Sequence, residues 1–247
     1  ETAVQLKETE ELMAKSLAWL TSLPPDLRDS ENGSPSPLLI LGPSRSGKTR
    51  LDYVLSSLKS VDSADEYREL SQAFRMSAEQ NSTPELNPLG TLPDKFASSF
   101  RSNLRKILKV NHPGVDTIIN TNPGLISFCA SYALMEPRFK LVCIKRDPND
   151  LAVRMFMKDY RNAKGHCYTN DLGACMRYID WYFSMLDLLV EKFPNKTVVV
   201  QYEDMVENPL ATIGKITEKF GLPGVDPSNL NIPDDRGVAK KYREFWL

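Results

Sequence analysis

The sequence predicts an α/β fold in which a mostly parallel sheet is covered by helices on both faces, giving three layers. Short apolar runs, which are typical of buried parallel strands, alternate along the chain with longer segments of helical periodicity. Strands and helices that alternate in this way build a parallel sheet with helices on both faces. The 247 residues are 41% hydrophobic and 26% charged, which is ordinary for a globular domain of this size.

An N-terminal helix is predicted over residues 3–23, because leucine and methionine recur there at helical spacing and two prolines follow. A polar tract rich in serine and proline continues to residue 37 and has the composition of a linker. We therefore divide the chain into an N-terminal helix with its linker, 1–37, and a main domain, 38–247. The helix is either an appendage, such as the end of an upstream helical-repeat domain, or an arm packed on the core.

The main domain begins with a strand and then alternates strands with helices. The predicted strands cover residues 38–41, 117–119, 140–144 and 197–200. The predicted helices cover residues 48–60, 66–77, 93–111, 123–135, 148–161, 171–192 and 209–220, and residues 78–92 are predicted as a loop. The helix over 171–192 carries an aromatic stripe at helical spacing, which predicts core positions for Tyr178, Trp181, Tyr182 and Met185.

The composition excludes several functional classes. The 31 basic and 32 acidic residues nearly cancel, so the chain as a whole has no field that attracts nucleic acid or an anionic membrane. No apolar run approaches the ~18 residues that a membrane span needs. The 4 cysteines have no C-x-x-C spacing, and together with only 2 histidines they predict neither a disulfide framework nor a metal site.

The chain begins at Glu1 and shows no signal-peptide pattern. We interpret it as a domain taken from a longer polypeptide, and we expect it to act in the cytoplasm. We expect no nucleic-acid partner and no membrane span.

The most specific motif is the segment from Gly42 to Thr49, which satisfies the pattern G-x-x-x-x-G-K-[ST]. It lies after a predicted buried strand and before a predicted helix, as this motif requires. Backbone N–H groups of such a loop and of the helix start point at an anion, and Lys48 and Arg45 add charged donors. The segment therefore predicts a P-loop that binds phosphate. The simpler alternative is a tight turn with an exposed lysine.

The ligand of this loop depends on the residues that follow the other strands. A magnesium-dependent kinase or NTPase needs a carboxylate at the end of a second buried strand. The strand over 140–144 continues instead into a Lys-Arg pair that ends in Arg146, and a basic pair attracts an anion. The last predicted strand leads to Glu203 and Asp204, so the metal-dependent alternative stays open. A second anion subsite, and thus a nucleotide with two separated anionic groups, is the favoured interpretation.

Three segments occur together: the phosphate loop, the R-D-P-x-D helix start at 146–150, and the stretch from Tyr202 to Pro209. In this combination they resemble the sulfotransferases that use 3′-phosphoadenosine 5′-phosphosulfate (PAPS). The segment 165–172 is similar to bacterial sulfotransferase domains joined to tetratricopeptide repeats, which are relatives of tyrosylprotein sulfotransferases. The resemblance covers residues 38–224. It implies transfer of a sulfonate group to a hydroxyl of a carbohydrate, a protein tyrosine or a small molecule, without a metal, leaving 3′,5′-bisphosphoadenosine.

The resemblance also implies roles for individual residues. It assigns the 3′-phosphate to Arg146, and it assigns the 5′-phosphosulfate to the loop residues Arg45, Ser46, Gly47, Lys48 and Thr49. Within that loop, the lysine is expected at the bridging oxygen of the leaving phosphate. A carboxylate soon after the first helix of the main domain takes the acceptor proton in this family. Glu66 is therefore the candidate base, with Asp65 as its nearest substitute.

Two positions depart from the family pattern. Arg154 stands where the family has a serine that binds the 3′-phosphate, and Asn122 stands where it has a lysine near a strand end. Lys158, one turn beyond Arg154, is expected to add charge to that subsite. The basic tail that includes Arg236 is either a solvated face or a lid over the 3′-phosphate. His166 is interpreted as a loop residue near the acceptor. These departures leave a further alternative, a nucleotide-binding domain with impaired catalysis.

Overall fold

The computed structural model describes residues 2–24, 34–66, 68–83, 87–90, 92–158, 160 and 166–224. The strands in this part of the chain are β1 Ser36–Leu41, β2 Val61–Ser63, β3 Thr117–Asn120, β4 Lys140–Lys145 and β5 Thr197–Gln201. They form a single five-stranded sheet in the order β2-β3-β1-β4-β5, and every pair of neighbours is parallel. The predicted α/β class with a parallel sheet is confirmed.

Helices cover both faces of the sheet. They are α1 Thr2–Ser22, α2 Lys48–Leu55, α3 Glu69–Gln80, α4 Asp94–Asn111, α5 Cys129–Met135, α6 Pro148–Phe156, α7 Leu172–Lys192, α8 Tyr202–Glu207 and α9 Pro209–Phe220, with short 3₁₀ turns at Pro123–Phe128, Cys167–Asn170 and Pro194–Lys196. Successive side chains of a strand point to opposite faces. Accordingly, Leu39 and Leu41 of β1 pack in the core with α4, α5 and α7, whereas Leu38 and Ile40 pack in the core with α2 and α9.

The elements differ from the predicted bounds in a few places. Each predicted strand is present and is one or two residues longer than predicted. The sequence does not predict β2, because its segment has one apolar residue, Val61, and is held by pairing with Thr117 of β3. The helix predicted over 48–60 ends at Leu55, and the helix predicted over 148–161 ends at Phe156. Helix α8, in the segment after β5, was not predicted either.

The N-terminal helix packs against the main domain. Leu20 of α1 is wholly buried. Trp181 Nε1 of α7 donates a hydrogen bond to the main-chain oxygen of Met13 (3.0 Å), and Trp19 Nε1 donates to Ser131 Oγ of α5 (3.2 Å). These contacts agree with the packed-arm alternative for this helix.

Within the described ranges, no helix combines the length and the apolar character that crossing a membrane takes.

Candidate active site

The loops that follow the strands meet at the carboxyl edge of the sheet, which is where ligands bind in open α/β folds. Residues 42–47 follow β1, and Arg146 follows β4. Residues 64–66 follow β2, and residues 121–122 follow β3. The two predicted anion-binding segments touch, because Arg146 Nη1 donates to the main-chain oxygen of Arg45 (3.1 Å). The structure therefore brings together two segments whose contacting residues are 101 positions apart in the sequence.

The phosphate loop turns sharply between β1 and α2. Gly47 has φ 101°, which favours glycine, and Arg45 also has a positive φ of 71°. A Cβ atom at Gly47 would lie 2.5 Å from the Tyr202 ring, and one at Gly42 would collide with Ser46 Oγ. Ser46 is wholly buried, and its hydroxyl has no hydrogen-bond partner among the described residues. Backbone that alternates in handedness in this way gathers N–H groups into a concavity that suits an anion.

Lys48 is the first residue of α2 and is buried beneath the loop. Its Nζ donates to the main-chain oxygens of Gly42 (2.8 Å) and Pro43 (2.9 Å). Burial lowers the pKa of Lys48 to about 7; the carboxylate of Glu66 opposes this shift and the ammonium of Lys158 adds to it. An anion placed beside the loop would therefore stabilise the protonated form of Lys48.

Arg146 lies between the end of β4 and the start of α6 and is 4% exposed. Its Nε and Nη2 donate to Asp150 Oδ2 (2.7 and 2.6 Å). The same carboxylate oxygen accepts from Arg154 Nε (3.0 Å), so Asp150 orients both arginines. Asp147 Oδ1 caps the helix by accepting from the main-chain N–H of Asp150 (2.8 Å). The two guanidinium groups therefore share one carboxylate oxygen.

Tyr202 connects the two cationic segments. One part of its ring packs against Gly47 of the phosphate loop, and the guanidinium of Arg146 lies 3.8 Å from its centroid. The next residue, Glu203, accepts a hydrogen bond at Oε1 from the main-chain N–H of Asp147 (3.1 Å). The corner between β5 and α8 thus contacts both predicted anion-binding segments.

A cleft of about 260 Å³ opens beside the phosphate loop. It is lined by Ser44, Glu66, Asn122, Pro123, Gly124, Lys158, Tyr160, His166, Tyr168 and Tyr178. Glu66 is exposed and faces the cleft, so the predicted base lies on its wall. Lys158 lies beyond the end of α6 and lines the same cleft. Burial and the charge of Arg45 lower the pKa of Lys158, and Glu66 opposes that shift.

Aromatic side chains form the far wall of this cleft. Tyr160 donates a hydrogen bond to Ser44 Oγ of the phosphate loop (2.9 Å) and stacks on His166 at 4.4 Å between ring centroids. His166 Nδ1 lies 3.2 Å from Tyr168 Oη, and the Tyr168 ring stacks on Tyr178 at 3.7 Å. Burial lowers the pKa of His166, and the nearby charge of Lys158 lowers it further. The predicted core stripe is buried, and Tyr178 of that stripe also lines the cleft.

The remaining predicted positions occupy different surroundings. Asn122 Oδ1 accepts from the main-chain N–H of Gly124 (2.9 Å) and caps the 3₁₀ turn there. Asp65 belongs to the turn after β2, and its main-chain oxygen accepts from the N–H of Thr121, which follows β3 (2.8 Å), whereas Glu66 lines the cleft. Arg236 lies outside the described residues.

Residues 37–227 match the protein-family model described as the sulfotransferase family. Three similar solved structures are the sulfotransferase domain of the Synechococcus PCC 7002 olefin synthase, a Mycobacterium tuberculosis sulfotransferase and an Alicyclobacillus acidocaldarius sulfotransferase. The first is 16% identical with TM-score 0.50, and the alignment covers 85% of this chain and 81% of that one. The second is 13% identical with TM-score 0.52, covering 78% and 69%, and the third is 12% identical with TM-score 0.52, covering 87% and 92%. No curated protein matches the chain.

Proposed function

The chain belongs to the sulfotransferase family, and we propose that it transfers a sulfonate group from PAPS to an acceptor hydroxyl, leaving 3′,5′-bisphosphoadenosine. The observation that carries this proposal is the contact between its two cationic segments, in which Arg146 Nη1 bonds the main-chain oxygen of Arg45. A donor with a phosphate on each side of one adenosine needs two such segments at one sheet edge. The cleft beside them supports an acceptor site that reaches the same loop.

The residues present fit this donor. The phosphate loop offers its backbone N–H groups, the buried hydroxyl of Ser46 and the ammonium of Lys48 to the 5′-phosphosulfate. Arg146 and Arg154, both oriented by Asp150, are the guanidinium donors available to the 3′-phosphate. When bound, PAPS supplies the sulfonate group and a phosphate that can leave as an anion.

Lys48 stabilises the leaving group in this proposal. Its Nζ donates to two main-chain oxygens of the loop, and burial lowers its pKa to about 7. A phosphate oxygen is a stronger partner, because a nearby opposite charge favours the protonated amine. The ammonium then stabilises the negative charge that develops on the phosphate oxygen as its bond to sulfur breaks.

Glu66 takes the proton of the acceptor hydroxyl in this proposal. It lines the cleft, and it lies close enough to Lys48 for its charge to raise the pKa of that lysine. A base on this wall faces the transferring group, as general-base catalysis requires. Lys158 lines the same wall, so we assign it to the reacting groups in addition to its expected charge contribution near Arg154.

The first experiment measures ligand binding by thermal shift. We expect 3′,5′-bisphosphoadenosine to raise the melting temperature without added metal, because a ligand that binds only the folded state stabilises it by mass action. ATP with magnesium serves as the comparison for the kinase alternative. A stabilisation by magnesium-ATP with none by the bisphosphate would refute the proposal.

The second experiment measures transfer with ³⁵S-labelled PAPS and a panel of phenolic, carbohydrate and peptide acceptors. Lys48→Ala should weaken bisphosphate binding and abolish transfer, whereas Lys106→Ala, an exposed lysine of α4, should match the wild type. Glu66→Gln should retain bisphosphate binding and lose transfer, and Glu79→Gln on the exposed face of α3 is its control. Binding without transfer to any acceptor in the wild type would support the impaired-catalysis alternative instead.

A further inference from the structure

Tyr182 is a wholly buried residue of α7 whose hydroxyl joins two segments of the candidate active site. The Tyr182 hydroxyl accepts a hydrogen bond from the main-chain N–H of Gly42 (3.2 Å) and donates one to the main-chain oxygen of Pro123 (3.1 Å). The sequence predicts only a core position for it. A phenylalanine would fill the same space, so the packing of the ring does not explain the hydroxyl.

The two bonded segments belong to the two halves of the site. Gly42 begins the phosphate loop, and its own main-chain oxygen accepts from Lys48 Nζ (2.8 Å). Pro123 lines the cleft and begins the 3₁₀ turn that Asn122 caps. The Tyr182 hydroxyl therefore donates one hydrogen bond and accepts another, and in this way it links the phosphate loop to the cleft wall at Pro123.

We propose that Tyr182 is a positioning residue that holds the phosphate loop in place relative to the cleft wall at Pro123. This inference rests on the proposed function, which assigns PAPS to the loop and the acceptor to the cleft. Both partners are main-chain groups, and Gly42 is buried. Without the hydroxyl, the Gly42 N–H loses its bond away from water, which is costly enough for the loop to shift toward another partner. Tyr182 thereby sets the position of the loop proposed to hold PAPS relative to the cleft wall proposed to hold the acceptor hydroxyl.

The test compares Tyr182→Phe with Tyr132→Phe. Tyr132 is a buried tyrosine of α5 that stacks on Phe100, so its variant loses a phenolic hydroxyl outside the site. Hydrogen exchange of the free protein is the first readout. We expect Tyr182→Phe to speed exchange in peptides covering 42–49 and 121–128, and we expect Tyr132→Phe to leave both segments as in the wild type.

Ligand binding is the second readout. We expect the Kd for 3′,5′-bisphosphoadenosine to rise about tenfold in Tyr182→Phe, which corresponds to losing about 1.4 kcal/mol. Bound bisphosphate should slow exchange in both peptides of the wild type. In Tyr182→Phe, bound bisphosphate should still slow exchange in peptide 42–49 but should have less effect on peptide 121–128. A general loss of stability would not produce this difference between the two peptides.

Unchanged exchange in 42–49 and 121–128 of Tyr182→Phe, together with an unchanged Kd, overturns the inference. If the wild type does not bind the bisphosphate, the proposed function fails, and exchange in the free protein still decides the role of Tyr182. If Tyr182→Phe does not fold, the exchange rate of the Gly42 amide in the wild type decides it. Slow exchange of that amide supports the bond, and fast exchange overturns it.

Discussion

Binding of 3′,5′-bisphosphoadenosine should be accompanied by uptake of a proton by Lys48. In the free protein, burial lowers the pKa of Lys48 to about 7. A phosphate beside Nζ supplies an opposite charge that favours the protonated amine, so the pKa rises again in the complex. The bound state then holds more protons than the free state, and affinity must fall as the pH rises above 7.

The size of this effect follows from the pKa. With a pKa of about 7, the free lysine is about 90% protonated at pH 6 and about 10% protonated at pH 8. If the amine is fully protonated in the complex, the affinity falls about tenfold over this interval. Proton uptake on binding should approach about 0.9 proton per nucleotide at pH 8. At this pH the phosphates of the nucleotide no longer titrate, because their second pKa is about 6.

Isothermal titration calorimetry in two buffers of different ionisation enthalpy measures this uptake directly. Lys48→Arg is the matched variant, because arginine stays charged throughout this range and should bind with almost no uptake. Lys158→Met controls for the other lysine of the site, whose pKa is also lowered, and should keep most of the uptake of the wild type. No proton uptake by the wild type at pH 8, or the same uptake in Lys48→Arg, would refute the reasoning.

Three further predictions concern stability and specificity. Lys48→Met should raise the free energy of unfolding at pH 7 by about 2–3 kcal/mol, because a fall in pKa from 10.5 to about 7 implies a burial cost of about 5 kcal/mol, and the two lost carbonyl bonds offset part of it. Asp150→Asn should reduce the preference for 3′,5′-bisphosphoadenosine over adenosine 5′-phosphate about tenfold, as measured by calorimetry, because both arginines lose the carboxylate that directs them. A hydrogen bond from His112 lowers the pKa of Asp62, so this pair stabilises the fold above the ordinary pKa of 3.8 and less as the pH falls below it. The difference in urea stability between wild type and His112→Asn should therefore be larger at pH 5 than at pH 3.

Matched variants make these outcomes decisive. Lys106→Met, at an exposed position of α4, should leave the free energy of unfolding unchanged, and a loss of stability in Lys48→Met would show that its hydrogen bonds outweigh its burial cost. Asp180→Asn, on the exposed face of α7, controls for the loss of one carboxylate. Equal nucleotide preference in Asp150→Asn and the wild type would contradict the orienting role. A stability difference for His112→Asn that does not change with pH would contradict the third prediction.

The strands and the phosphate loop were predictable because their signals are local. The run 38–41 is continuously apolar, and the glycines of the loop after it stand where a positive φ or a close approach leaves no room for a side chain. The strand β2 was not predictable, because its three residues follow no pattern and pair with β3 only once the sheet has formed. The turn after β2 determines that Glu66, rather than Asp65, lines the cleft.

Local patterns were enough to predict the alternation of strands and helices, the loop between β1 and α2 and the basic residue after β4, since each depends on neighbouring residues and on the periodicity of the backbone. The folded structure was needed to show that Asp150 is shared by two arginines, that Tyr202 lies between the cationic segments, and that Tyr182 bonds both halves of the site. These contacts join residues far apart in the chain. Burial, which lowers the pKa of Lys48, likewise depends on which elements close over a side chain, and no local pattern of residue types specifies that.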